Sequence, residues 1–213
     1  MSTVWAIVVA GGSGQRFGQM KQFALLAERP VVEWAVAACR PSSAGVVLVV
    51  PRGVGVQVAH GADVVVEGGA TRAESVRLGL AAVPRTVEVI VVHDAARPLA
   101  SDELFRSVIA AVHSGGAGGA IPGLPVSDTI KMVDGTNNVT RTLDRASLVA
   151  VQTPQAFDGD LLRRAHAQRG EATDDAALVE ALGATVRVVP GDPRNLKITT
   201  PADLGTAESL LRG

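Results

Sequence analysis

Val4-Trp5-Ala6-Ile7-Val8-Val9 runs without a break into Ala10-Gly11-Gly12-Ser13-Gly14-Gln15-Arg16-Phe17-Gly18. Six consecutive apolar residues, half of them valine, suit a strand buried on both faces, as in a parallel sheet covered by helices. The glycines that follow remove the Cβ atoms that would keep backbone N–H groups away from a phosphate chain. Ala10, Gly11, Gly12 and Gly14 are therefore candidate contacts for a nucleotide polyphosphate. Arg16 and Lys21 add two cations that can converge on the same anion.

Two well-known phosphate loops do not fit. A P-loop places Lys and Ser or Thr directly after its last glycine, but Gly18 is followed by Gln19-Met20, so a Walker-type NTPase is excluded. A dinucleotide fingerprint has glycine where Phe17 stands and an acid closing its second strand, whereas Val46-Val47-Leu48-Val49-Val50 ends in Pro51-Arg52, which argues against NAD.

The composition agrees with a valine-rich sheet under alanine-rich helices: of 213 residues 47% are hydrophobic but only 3% aromatic, and 23 glycines separate the elements. This length suits one domain spanning 1–213. Twenty basic residues against 21 acidic ones give a net charge of -1, which provides no global field for nucleic acid. A single cysteine, Cys39, excludes an internal disulfide and reads as a small buried core residue. No run of 18 apolar residues and no leader pattern occurs, so a cytoplasmic protein with no membrane partner is expected.

Apolar runs at 4–9, 46–50, 62–66, 87–92, 117–121 and 186–189 alternate with helical patterns at 31–40, 72–82, 102–113, 159–168, 174–182 and 201–211. This alternation predicts an α/β fold: a mostly parallel, twisted, Rossmann-like sheet with helices on both faces. Ligands of such sheets bind beyond the carboxyl ends of the strands. One segment breaks the rhythm. Residues 127–133 and 138–143 alternate around Asp134-Gly135-Thr136-Asn137 and predict a β-hairpin, either an active-site flap or an arm reaching another subunit.

The strand ends carry the remaining chemistry. After the third apolar run, Gly68-Gly69-Ala70-Thr71-Arg72-Ala73-Glu74-Ser75 offers backbone that can lie flat on a base and a hydroxyl at Ser75, although helix capping by Thr71 accounts for some of the same polarity. Val89-Ile90-Val91-Val92 leads into His93-Asp94, where a carboxylate facing a polyphosphate is placed to hold Mg²⁺. His93 points to the other face of the strand and reads as a hydrogen-bonded core group. Lys197 lies in a short extended piece before Thr200-Pro201, which reads as the N-cap and first residue of the last helix.

In order, the loop 10–16, Gly68-Gly69-x-x-Arg72-x-x-Ser75-Val76, His93-Asp94-Ala95-Ala96-Arg97-Pro98, Asp128-Thr129-Ile130-Lys131, Gln152-Thr153-Pro154-Gln155 and Asn195-Leu196-Lys197-Ile198-Thr199 resemble the 2-C-methyl-D-erythritol 4-phosphate cytidylyltransferase family of the non-mevalonate isoprenoid pathway. The resemblance spans residues 4 to about 211. It implies a nucleotidyltransferase fold and a homodimer built through a β-arm at 126–145. The implied reaction transfers the cytidylyl group of CTP to methylerythritol 4-phosphate with release of pyrophosphate. Arg16, Lys21 and Lys197 would then be catalytic, and Asp94 would hold Mg²⁺. Ala10, Gly11, Gly12, Gly14, Gly69, Ala70, Ser75 and Ala95 would bind CTP. Arg97, Thr129, Arg145, Thr153 and Thr173 would bind the sugar phosphate, with Thr129 and Arg145 reaching across from the other subunit. The link Arg16-Phe17-Gly18-Gln19-Met20-Lys21 is shorter than the family's and has Met20 in place of the usual proline. Two other readings share the site: a ribitol 5-phosphate cytidylyltransferase and a CTP-binding module without turnover.

Overall fold

The computed structural model describes residues 3–11, 20–54, 60–114, 116–170 and 172–212. In chain order the elements are β1 (Val4–Val9), β2 (Leu25–Leu26), β3 (Arg29–Pro30), α1 (Val31–Cys39), β4 (Gly45–Val50), β5 (Val64–Glu67), α2 (Arg72–Ala82), β6 (Val89–Asp94), α3 (Asp102–His113), β7 (Gly119–Pro125), β8 (Lys131–Val133), β9 (Val139–Thr142), β10 (Val149–Val151), β11 (Gln155–Asp158), α4 (Gly159–Ala167), α5 (Asp175–Glu180), β12 (Val186–Pro190) and α6 (Pro201–Arg212).

Every apolar run and helical pattern read from the sequence appears, with ends shifted by a few residues. Eight strands form one sheet, ordered β12-β7-β11-β6-β1-β4-β5, and β10 pairs with β7 on the same edge as β11. β1 is parallel to both β4 and β6. The mostly parallel sheet is interrupted by β10 and β11, which run antiparallel to their neighbours. These two short strands are absent from the sequence reading.

The chain lays β4 and β5 on one side of β1, then returns to place β6 on the other. The carboxyl ends of β1 and β6 therefore flank a topological switch point, where open α/β sheets bind ligands. Successive residues of β1 face opposite layers. Ala6 and Val8 pack with α1 and α3, through residues such as Val32, Ala35, Phe105 and Val108. Ile7 joins Val76 and Leu80 of α2, Leu162 of α4 and Val179 of α5 on the other face. Gly79 sets how closely α2 approaches: a Cβ there would stand 2.7 Å from Ile7 Cγ2 and 3.0 Å from Val49 Cγ2, so only glycine lets this helix lie flat on β1 and β4. Cys39 is fully buried and its Sγ–H donates to Ala35 O at 3.2 Å, while burial pushes its thiol pKa up, as befits a core residue.

The hairpin forms as read. β8 and β9 pair antiparallel, and the Asp134 carboxylate accepts from the backbone N–H groups of Thr136 and Asn138, each at 2.9 Å. Asn137 adopts φ 63°, a left-handed conformation that asparagine tolerates better than most residues. Both strands of the hairpin are exposed throughout.

Candidate functional site

A cleft of about 370 Å³ opens at the carboxyl ends of β1 and β6. Val9, Ala10 and Gly11 form one wall, Gly69 to Arg72 with Ser75 a second, and Asp94 to Ala96 a third, with Lys21, Gln22 and Lys197 completing the rim. Of the residues singled out from the sequence, Lys21, Lys197, Ala10, Gly11, Gly69, Ala70, Ser75, Ala95 and Asp94 all meet here. Gly12, Gly14 and Arg16 lie outside the described residues.

Asp94 is the electrostatic centre. It is the last residue of β6, paired in register with Val9 of β1. Its Oδ2 lies 2.6 Å from Lys197 Nζ and its Oδ1 3.4 Å from Arg72 Nε. Burial pushes the carboxyl upward, but the charges of Arg72 and Lys197 outweigh it and hold the pKa down at about 2. Arg72 is fixed from behind by Asp175, at 2.7 Å from its Nη1, and Asp175 accepts in turn from His166 Nε2 at 2.9 Å. The motif placed Arg72 in the sequence without a role. Its link to Asp94 depends on α2 docking against the sheet and on an aspartate 103 residues further along, neither of which is a local signal.

Three segments remote in sequence are laced to the end of β6. Ile198 N–H donates to Ala96 O at 2.8 Å, and Lys21 Nζ donates to Ile198 O at 2.8 Å. Gln22 is buried and donates to Ala10 O at 2.8 Å. The shorter link with Met20 thus still brings Lys21 to the cleft. Asn195 is fully buried; its Nδ2 donates to Thr153 O at 2.9 Å, and its own carbonyl accepts from Arg97 Nη1 at 2.7 Å. Gln152 grips the same segment, donating to Asp192 O at 2.9 Å and accepting from Asp192 N–H at 3.0 Å. Ahead of α6, the Asp203 carboxylate accepts from the N–H groups of Thr199 and Thr200, at 2.7 and 2.8 Å.

The second wall is shaped by capping. Thr71 Oγ1 accepts from Glu74 N–H at 3.1 Å, and Glu74 Oε2 accepts from Ala70 N–H at 2.6 Å. The Ser75 hydroxyl donates to Thr71 O at 2.9 Å and accepts from Gly69 N–H at 3.1 Å, so its proton holds the loop. A Cβ on Gly68 would stand 2.8 Å from Ser75 Oγ and 3.3 Å from Val50 O, which explains the glycine there.

The residues expected at the sugar phosphate are more dispersed. Thr153 sits beside Asp94, its Oγ1 accepting from Asp94 N–H at 3.0 Å. Arg97 does not line the cleft. Thr173 is exposed, two residues before Asp175, and Thr129 is exposed at the base of the hairpin. Arg145 donates to Ser127 O at 2.6 Å. Neither Thr129 nor Arg145 lines the cleft.

His93 lies on the opposite face of β6, buried against Phe105 at a ring-centroid distance of 5.2 Å. Its Nε2 lies 3.1 Å from Arg97 O, which can only accept, so Nδ1 is the nitrogen left to accept from Thr153 Oγ1–H at 3.2 Å. Burial holds the imidazole pKa down at about 4, against 6.5 for the free side chain. The folded state therefore binds fewer protons than the unfolded one between these values, and stability rises with pH across the window. Thermal stability is expected to be complete above about pH 6.5 and to fall toward pH 4, with His93 contributing on the order of 3 kcal/mol. Melting His93→Gln across the same range checks this: an unchanged slope against pH would remove His93 as the cause.

The cleft and its lacing can be set beside known proteins. A model of the 2-C-methyl-D-erythritol 4-phosphate cytidylyltransferase (IspD) family matches residues 4–213. A protein of that name from Nocardia farcinica is 46% identical over 220 residues, covering 98% of this chain and 94% of its own. The crystal structure of the Thermus thermophilus enzyme shares 39% identity with a TM-score of 0.81, over 97% of this chain and 98% of that one. The Francisella tularensis structure superposes with a TM-score of 0.84 at 27% identity, over 98% and 100%. A bifunctional IspD/IspF enzyme of Clavibacter michiganensis is 51% identical over 154 residues; this match takes in 72% of the present chain but 37% of that longer protein. Because the family match runs from β1 through α6, it takes in every strand end that lines the cleft, and the chain belongs to the 2-C-methyl-D-erythritol 4-phosphate cytidylyltransferase family.

Proposed function

We propose that this cleft binds CTP with its triphosphate between Lys21, Lys197 and Asp94, and transfers the cytidylyl group to 2-C-methyl-D-erythritol 4-phosphate. A phosphate oxygen of the sugar phosphate attacks the α-phosphorus of CTP. The bond from that phosphorus to the α,β-bridging oxygen breaks, and pyrophosphate leaves. The reading rests on one observation: two lysines and an aspartate from three distant parts of the chain converge on one pocket at the switch point. Bringing two phosphates together makes charge neutralisation and alignment the main tasks, with no need for a nucleophilic side chain. Lys21 and Lys197 meet charge developing around the α-phosphate, and Arg16 is assigned the same role. Gly69 and Ala70 offer backbone to the base, while Ala10, Gly11 and Ala95 line the nucleotide's path, with Gly12 and Gly14 assigned to the same loop.

Mg²⁺ fits this site only in company with the nucleotide. Among the described residues no three metal-ligating side chains gather, so Asp94 would hold the ion together with phosphate oxygens, an arrangement usual for this hard cation. It would supply further charge neutralisation on the triphosphate.

The hairpin supports a homodimer. Met132, Val133 and Val139 are 48%, 54% and 60% exposed in the single chain, on a two-stranded ribbon that is marginal alone. Thr129 and Arg145 would then serve the partner's sugar-phosphate site, beside Arg97, Thr153 and Thr173 of the receiving chain. Mixing Arg145→Ala and Lys197→Ala chains, each inactive alone, is expected to restore part of the activity in mixed dimers. No recovery in demonstrated mixed dimers would mean that each site is built within one chain. No described helix is long and apolar enough to cross a membrane, which is compatible with a cytoplasmic enzyme.

Pyrophosphate release with CTP and each alcohol phosphate in turn tests the reaction. Turnover with methylerythritol 4-phosphate is expected. Turnover with ribitol 5-phosphate alone would reassign the acceptor, and tight CTP binding without product would make the chain a sensor.

A further inference from the structure

The turn that ends β6 meets a buried histidine at both of its ends. β11 begins its pairing with β6 at Gln155, opposite Val92, so the same register would set Thr153 opposite Asp94. The Thr153 carbonyl is turned away and accepts from Asn195 Nδ2 at 2.9 Å. Its hydroxyl takes the ladder position instead, accepting from Asp94 N–H at 3.0 Å. A hydroxyl rotates to suit its surroundings unless its proton is also committed. Here the proton goes to His93 Nδ1 at 3.2 Å, and Nε2–H of the same ring donates to Arg97 O at 3.1 Å.

Arg97 N–H closes the turn on Asp94 O at 3.0 Å, so one fully buried side chain reaches the entry of the turn through Thr153 and its exit directly. Two cations of the cleft hang from the same turn. Ile198 N–H donates to Ala96 O, which seats Lys197, and Ile198 O receives Lys21 Nζ. A neutral imidazole offers one donor and one acceptor at two corners of a rigid ring. Only the tautomer with its proton on Nε2 serves both ends at once.

We infer that His93 is a positioning residue for the reaction: by fixing the Thr153 hydroxyl and the Arg97 carbonyl it sets the turn 94–97, and with it Asp94 and the segment that carries Lys197. His93 itself does not line the cleft. Its effect on rate comes from alignment, where a misplacement of about 1 Å can cost on the order of 10². The inference rests on the proposed transfer reaction for its kinetic reading alone.

Kinetics use CTP with whichever alcohol phosphate the wild type turns over. His93→Gln keeps a donor as far from Cβ as Nε2 is, but loses the acceptor for Thr153. Thr153→Val keeps the shape and loses the hydroxyl. Each is expected to lower kcat about 10- to 100-fold, with KM for CTP near its wild-type value. The double variant should be no slower than the slower single one, because the two residues act as a unit. Leu162→Ala, a core truncation on α4, lowers stability without touching His93 or Thr153 and should leave kcat unchanged. Amide hydrogen exchange without nucleotide reads the positioning independently of turnover. The Ile198 N–H is expected to exchange about tenfold faster in His93→Gln and Thr153→Val, and at the wild-type rate in Leu162→Ala. Wild-type kcat in His93→Gln, an Ile198 amide that Leu162→Ala loosens equally, or losses that multiply in the double variant would overturn the inference, the last by making Thr153 act independently of His93. A wild type that turns over no acceptor would remove the reaction, and the exchange measurement would then decide by itself.

Discussion

Lys197→Ala is expected to lower kcat by about 10²–10³-fold, the usual effect of removing one positioned group that meets charge in the transition state. The geometry separates this from a stability effect. Lys197 Nζ lies 2.6 Å from Asp94 Oδ2, but the side chain is 43% exposed. An ion pair so open to solvent contributes about 0–1 kcal/mol to folding. The segment that carries it is held instead by Ile198 N–H on Ala96 O and by buried Asn195, none of which the substitution touches. The melting temperature should therefore move little while turnover collapses. Lys21→Ala should behave alike, because Lys21 reaches the cleft through Ile198 O rather than through the core. Steady-state kinetics and thermal melts on the same preparations check both. A large drop in melting temperature with unchanged kcat would make Lys197 a clip for the C-terminal segment and nothing more.

What the sequence discloses and what it conceals follow from the range of the interactions. The apolar runs and helical periods are local, and so all of them appear, as does the hairpin around Asp134. The strands at Val149–Val151 and Gln155–Asp158 are only three and four residues long, too short to set up a period of their own. Their antiparallel pairing is decided by β6 and β7, which lie far away in the chain. Within the site, Asp94 is legible because it closes a recognisable strand, whereas Lys197, in the extended piece between β12 and α6, is singled out only through the motif Asn195-Leu196-Lys197-Ile198-Thr199. Arg72 was visible only as a motif letter, since its function as a counterion needs Asp175 behind it and Gly79 to set the helix on the sheet. Ser75, read as a hydroxyl for the nucleotide, does line the cleft, and the structure adds what the sequence could not show, that its proton is donated to Thr71 O. Gln152 and Asn195 belonged to quoted motifs, but their work is to lace the C-terminal segment to β6.

Asp94→Asn should separate the electrostatic roles of the site. The substitution keeps the shape and the Thr153 hydroxyl on the Asp94 backbone N–H but removes the charge between Arg72 and Lys197. Arg72 retains Asp175 at 2.7 Å, so α2 should stay docked and the fold should survive at neutral pH. The wild-type carboxylate, held at about 2 against 3.8 in the unfolded chain, stabilises the fold fully above about pH 3.8 and loses that contribution as pH falls through about 2. The variant should lack this acid limb. Turnover is expected to fall by about 10²–10³-fold, and the remaining activity should respond only weakly to Mg²⁺, because the carboxylate placed to share the ion with the triphosphate is gone. CTP affinity measured without metal should hold or tighten, since a negative charge beside the triphosphate has been deleted while Lys21 and Lys197 remain. A magnesium titration of turnover distinguishes the cases: a wild-type curve in Asp94→Asn would leave Asp94 as an anchor for Lys197 and Arg72 and place the metal elsewhere on the nucleotide.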